Sequence, residues 1–168
     1  VRLQDDGNHT PERVTIHAMA EFIDLEPYDV PAFDFLSSMG LSAHYLITPS
    51  GCVQRCLDDK RIGRHAGRGL NSGNIGIEML VPGVHTYATF VSYINDISWP
   101  EYGSQWHATV DLVRELRGKY DLKDMARVVV RGDTSREEST EPWLVRHSDI
   151  APGRKVDPGQ GFAWQAFR

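Results

Sequence analysis

The residues in this chain best suited to chemistry stand together near its C-terminus, in His147-Ser-Asp-Ile-Ala-Pro-Gly-Arg-Lys155-Val-Asp157, followed by Pro158-Gly159. An imidazole, an ammonium and a carboxylate share one stiffened segment. Histidine and carboxylate both ligate zinc well, and three protein ligands plus one water make a catalytic zinc site. Lys155 and Asp157 are two apart, so an extended backbone would send both side chains from one face. Pro152 and Pro158 restrict the chain on either side, while Gly153 and Gly159 permit close turns. A metal ligand beside a fixed cation is the equipment of a hydrolase.

Something must position such a segment, and the upstream periodicities say what. Residues 13–18 alternate, with Val14 and Ile16 on one face and Thr15 and His17 on the other, a half-buried strand carrying His17 on its polar side. Apolar side chains at 30, 33, 36 and 39 predict a short helix stopped by Gly40. Ser42 to Thr48 and Cys52 to Leu57 flank Pro49-Ser-Gly51 and predict a hairpin. A basic, glycine-rich loop is expected over 58–73, and a strand over 74–80, where Ile75, Ile77 and Met79 face one way and Gly76 and Glu78 the other. Residues 82–103 read as an aromatic-rich loop, 105–120 as the principal helix, 127–130 as a short buried strand and 131–143 as a polar surface loop. The aromatic tail from Phe162 to Phe167 is expected to pack back on the body. Strands mixed with helices, including a hairpin, imply an α+β fold with a mixed sheet.

Composition narrows the function classes. The chain of 168 residues fits one domain, with 40% hydrophobic and 24% charged residues, ordinary for a globular protein. A net charge of -5 argues against nucleic-acid binding, which favours a basic face. No apolar run approaches the ~18 residues of a membrane span. Val1 to Pro11 is polar and lacks a signal-peptide core, which leaves open export by a leader cleaved before Val1. Cys52 and Cys56, if on one strand, stand about 13 Å apart, past disulfide reach, and read as two small thiols. The sequence is silent on oligomeric state.

Four blocks in order resemble the zinc-dependent N-acetylmuramoyl-L-alanine amidase family, which includes phage lysozyme-type amidases, muropeptide amidases and peptidoglycan recognition proteins. They are Val14-Thr-Ile-His17; Leu41-Ser-Ala-His-Tyr-Leu-Ile47 with Gly51; Arg64-His-Ala-Gly67 leading to Asn74-Ile-Gly-Ile-Glu78; and His147 to Gly159. The resemblance implies a mixed sheet flanked by helices over residues 1–168 as one zinc amidase domain. It implies one Zn2+ held by His17, His147 and Asp157, with peptidoglycan or a muropeptide as substrate. Glu78 would be the general acid/base, and Lys155 would stabilise an oxyanion together with the metal. The tyrosine used by the phage branch is replaced here by Ala43, so the chain resembles the glutamate-using branch. His65 and Asn71 hold positions where the family lines its cleft. Arg154 could pair with a stem-peptide carboxylate, since guanidinium suits bidentate recognition. His44 reads as a structural imidazole bonded in the interior. Taken singly, each histidine is more often structural than ligating; the ordered set is what argues for the site. Two departures stand out: Arg146 precedes the last-block histidine in place of a glycine, after an insertion over 131–145, and Ala18-Met-Ala20 lacks the family's usual aromatic or threonine. The competing expectations are a non-catalytic muropeptide-binding module of the same fold and a recycling amidase acting on soluble anhydro-muropeptides.

Overall fold

The computed structural model describes residues 3–67, 69–96, 99, 103–131, 135–160, 162 and 164, with the backbone alone for 125–131 and 135–141. Strand β2 (Arg13–Leu25) is its axis. β7 (Asn74–His85) runs parallel to it on one side. On the other side lies β10 (Leu144–Arg146), parallel to the start of β2, while β3 (Tyr28–Pro31) folds back antiparallel on its end. Beyond β7 come β4 (Tyr45–Ile47), parallel, and β5 (Val53–Arg55), antiparallel. The expected mixed sheet is therefore present, in the order β10-β2-β7-β4-β5.

Alternation along β2 and β7 gives each sheet face its own task. Val14, Ile16, Ile75, Ile77 and Met79 point into the main core, where helix α3 (Ser104–Tyr120) supplies Trp106, Leu112, Val113 and Leu116. Helix α3 reads as expected; it ends at Asp121, whose left-handed backbone (φ 49°) lets the Leu122 amide reach back to the Arg117 carbonyl. Gln105 on its first turn donates to the carbonyls of Ile47 and Leu80, tying helix to sheet. The opposite face carries Thr15, His17 and Glu78 and is covered in part by α1 (Ala32–Ser38) through Ala32 and Leu36. That is the face on which chemistry can be built.

Several expectations are corrected. The strand expected over 74–80 continues to His85, and helix α2 (Tyr87–Ile94) follows, so 82–103 is not simply a loop. Pro82 is tolerated in β7 because the register slips there: Ala20 faces Val81, but Phe22 faces Val84, so Pro82 and Gly83 sit in a bulge. Thr86 caps α2 by accepting from the Thr89 amide. The loop expected over 58–73 contains β6 (Arg61–Gly63), paired with β1 (Asp5–Asn8). The polar stretch 131–143 contains β9 (Ser135–Glu141), paired antiparallel with β8 (Met125–Arg131), because a ladder needs backbone groups rather than apolar side chains. The expected burial of 127–130 lies outside the described side chains, as does most of the tail; Phe162 and Trp164 do pack on the core. Cys52 and Cys56 are free thiols. Among the described residues no helix is long and apolar enough to cross a membrane.

Candidate active site

Register alone brings the first pieces together. His17 on β2 lies beside Glu78 on β7, and Glu78 lies beside Leu46 on β4. On the other side Arg146 pairs with Ile16, so the next residue, His147, emerges level with His17. A four-residue turn, α4 (His147–Ile150), then leads into the loop that returns Asp157, with the Ser148 amide bonded to the Asp157 carbonyl. Arg146 and Asp149 lock that turn by reciprocal bonds, a role available to the residue that stands in the glycine's place.

The three side chains meet. His17 Nδ1 is 2.9 Å from His147 Nδ1, which is 2.9 Å from Asp157 Oδ2; the third edge, His17 Nδ1 to Asp157 Oδ2, is 3.4 Å. Donors on a tetrahedral ion with bonds of about 2.0–2.1 Å stand roughly 3.4 Å apart, so the trio needs only small outward shifts to hold one. Among the described residues this is the one group of histidine, cysteine or carboxylate side chains arranged for a metal. All three are buried. Burial drives the His17 pKa down to about 4, keeping the ring neutral with a lone pair to offer. Burial would push the Asp157 carboxyl up, but the hydrogen bond from His147 overcomes it and holds it well below the usual carboxylate range. Neutral imidazole and ionised carboxylate are the states that a divalent cation binds. The residues fit the ion.

Glu78 sits against this centre, its Oε1 3.9 Å from His17 Nδ1, while Oε2 is buried with no protein partner. Burial, reinforced by the Asp157 charge and opposed by Lys155, pushes its pKa up to about 8. Lys155 is exposed at the rim of the same cleft, a cavity of about 420 Å³ that also exposes His65 and Arg154. Apolar walls come from α1 (Phe35, Leu36) and the start of α2 (Tyr87, Phe90). Of the aromatics near 87–106, Trp99 and Trp106 are core residues, and Tyr102 lies outside the described residues.

Most of the anticipated site residues thus gather in one cleft: His17, Glu78, His147, Lys155, Asp157, His65 and Arg154. Asn71 does not line it. Its side-chain oxygen accepts from the backbone amides of His65, Ala66 and Gly67, which makes it the brace of that loop. Arg154 Nη2 donates to the Ala66 carbonyl and so clasps the same loop from the other side. His44 is interior, as expected: Nδ1 accepts from the Gly76 amide and Nε2–H donates to the Arg61 carbonyl. Gly76 was missed. A Cβ there would stand 2.6 Å from His65 Cγ, so only glycine lets that ring lie on the strand. The signal was the alternation itself, which put a glycine on the same face as Glu78.

Over 143 residues the chain is 24% identical to the 1,6-anhydro-N-acetylmuramyl-L-alanine amidase AmpD of Haemophilus influenzae, covering 85% of this chain and 65% of that protein. The fold matches the N-acetylmuramoyl-L-alanine amidase LysC from Clostridium intestinale with a TM-score of 0.63 at 20% identity, over 98% of this chain and 87% of that one. It also matches the amidase AmiD from E. coli, solved with anhydro-N-acetylmuramic acid-L-Ala-D-gamma-Glu-L-Lys, with a TM-score of 0.57 at 22% identity, over 99% of this chain and 59% of that one. The N-acetylmuramoyl-L-alanine amidase family profile matches residues 7–160, almost the full set of elements described above, and the chain belongs to that family.

Proposed function

We propose that residues 1–168 form one zinc amidase domain that hydrolyses the amide between N-acetylmuramic acid and L-alanine in peptidoglycan. The observation that carries this reading is the meeting of His17, His147 and Asp157 at the floor of an open cleft beside Glu78. When bound by these three, zinc supplies Lewis acidity, bringing the ionisation of a water to about pH 7 and polarising an amide carbonyl.

The chain's own residues do the rest. Glu78 lies beside the trio, and a cation held there would offset the burial that disfavours its charge, giving the ionised carboxylate that can accept a proton. It takes one from the attacking water and returns it to the amine of the leaving L-alanine. Oε2 is buried without a partner, so that exchange falls to Oε1, the oxygen 3.9 Å from His17 Nδ1. Lys155 brings positive charge to the oxygen of the tetrahedral intermediate. Arg154 keeps guanidinium donors beyond the one spent on Ala66, and these receive a stem-peptide carboxylate.

Retention of Glu78 and Lys155 beside the ligand trio disfavours a module that only binds. The name of the Haemophilus relative, a 1,6-anhydro-muropeptide amidase, supports a second reading in which soluble fragments are the substrate. Release of soluble muropeptides from purified cell walls, abolished by a chelator and restored by zinc, is the expected result. Release that continues unchanged after zinc is stripped out refutes the metal-dependent reading. Faster turnover of soluble anhydro-muropeptides than of intact sacculi decides for the second substrate.

A further inference from the structure

Beneath the ligand trio lies a second layer that fixes which nitrogen of His17 faces the metal, and the chain of contacts can be followed atom by atom. The Asn74 carbonyl can only accept, and His65 Nε2 stands 3.4 Å from it. His65 therefore carries its proton on Nε2 and presents a bare Nδ1. That Nδ1 is 2.9 Å from His17 Nε2, which must donate. A neutral His17 with its proton on Nε2 has a bare Nδ1, the atom that points at His147 Nδ1 and Asp157 Oδ2. The ring planes cross at 88° with centroids 5.0 Å apart, a twist about the N···N line that an in-plane N–H to lone-pair bond allows.

We propose that His65 is a positioning residue that sets the His17 tautomer through the Asn74 carbonyl, so that the zinc-binding lone pair is in place before the ion arrives. This rests on the zinc reading above. It also reassigns His65, expected at first to contact substrate. The surroundings are built to hold the ring: Gly76 leaves the space it lies in, and Asn71 gathers the three amides at positions 65 to 67. Ligating histidines in metal sites commonly donate their second N–H to such an outer partner, and its loss typically weakens metal binding by about 10- to 100-fold.

Tautomers and metal affinity test this without any activity measurement. In the metal-free wild-type protein, long-range proton–nitrogen correlation spectra should show both His17 and His65 protonated on Nε2. His65→Phe keeps a ring and loses the acceptor; zinc affinity measured by competition with a chromophoric chelator should fall roughly 10- to 100-fold. His65→Asn places a carbonyl oxygen where Nδ1 stood and should recover most of that loss. Three results would each overturn the proposal: His17 protonated on Nδ1 in the wild type, zinc affinity unchanged in His65→Phe, or His65→Asn as weak as His65→Phe. Loss in His65→Phe as complete as in His147→Ala would make His65 a ligand and overturn it too. A wild-type protein that binds no zinc at all would instead refute the metal reading, while the spectra still report on the tautomers.

Discussion

Acidification offers a quantitative test through His44, the imidazole that supports the strand under the site. Its ring is fully buried, with Nδ1 accepting from the Gly76 amide at 2.9 Å and Nε2 donating to the Arg61 carbonyl at 2.8 Å. A proton added to Nδ1 would confront the Gly76 N–H and break that bond. Burial lowers the His44 pKa from 6.5 to about 4; the bond to Arg61 and the Asp59 charge raise it, and His9 and Arg55 push it further down. The unfolded chain therefore binds a proton near pH 6.5 that the folded chain refuses until about pH 4. The associated stability is present in full above 6.5 and is lost as the pH falls through that window. At ~1.4 kcal/mol per tenfold change in proton affinity, the ceiling is about 3 kcal/mol, a large share of a typical domain's stability. Urea denaturation of the metal-free protein at pH 7 and pH 4.5 measures the loss. His17 pulls in the same direction, so the contribution of His44 is isolated by His44→Gln, which does not titrate. The variant should be less stable at pH 7 and show a shallower decline on acidification, by up to about 3 kcal/mol. Stability curves for the two proteins that run parallel between pH 7 and 4.5 would refute the reasoning.

Lys155→Ala should retain zinc, since Lys155 is not among the ligands, yet lose roughly 100-fold or more in turnover on muropeptides, as for other oxyanion donors. Glu78→Gln preserves shape and should also keep zinc by equilibrium dialysis, with turnover falling about 10²- to 10⁴-fold for want of a proton carrier. Gly76→Ala sets a methyl 2.6 Å from His65 Cγ; the ring must move, and weakened zinc binding measured by chelator competition is the expected result.

How much of this could be read in advance differs from feature to feature. His17 and Glu78 were legible because period-two alternation fixes which side chains share a face, and neighbouring parallel strands then set them side by side. His147, Lys155 and Asp157 were legible through the ordered motif, not through local physics. Asn71 was misplaced since a carboxamide in a basic loop says nothing about whether it turns to substrate or to its own backbone amides; only the fold decides. The long reach of β7 and the presence of α2 were hidden by Pro82-Gly83, a pair that usually ends an element but here forms a bulge between two paired stretches. The cap at Thr86 was the available signal for α2. The pairing of β1 with β6 joins two polar segments far apart in sequence, which leave no hydrophobic pattern behind, and β9 is hidden likewise by its polar side chains although its neighbour β8 carries the legible β-branched run.

The ligand trio joins positions 130 residues apart, His17 near the start of the sheet and His147 after its last strand. A ribosome must therefore release nearly everything between them before the centre can close, and a fragment ending short of His147 carries half a clasp. Any chemistry at this centre would thereby be deferred until synthesis has passed the final strand. Once closed, the ion would act as a rivet between early and late chain, so its departure should loosen the sheet's edge as well as silence the enzyme.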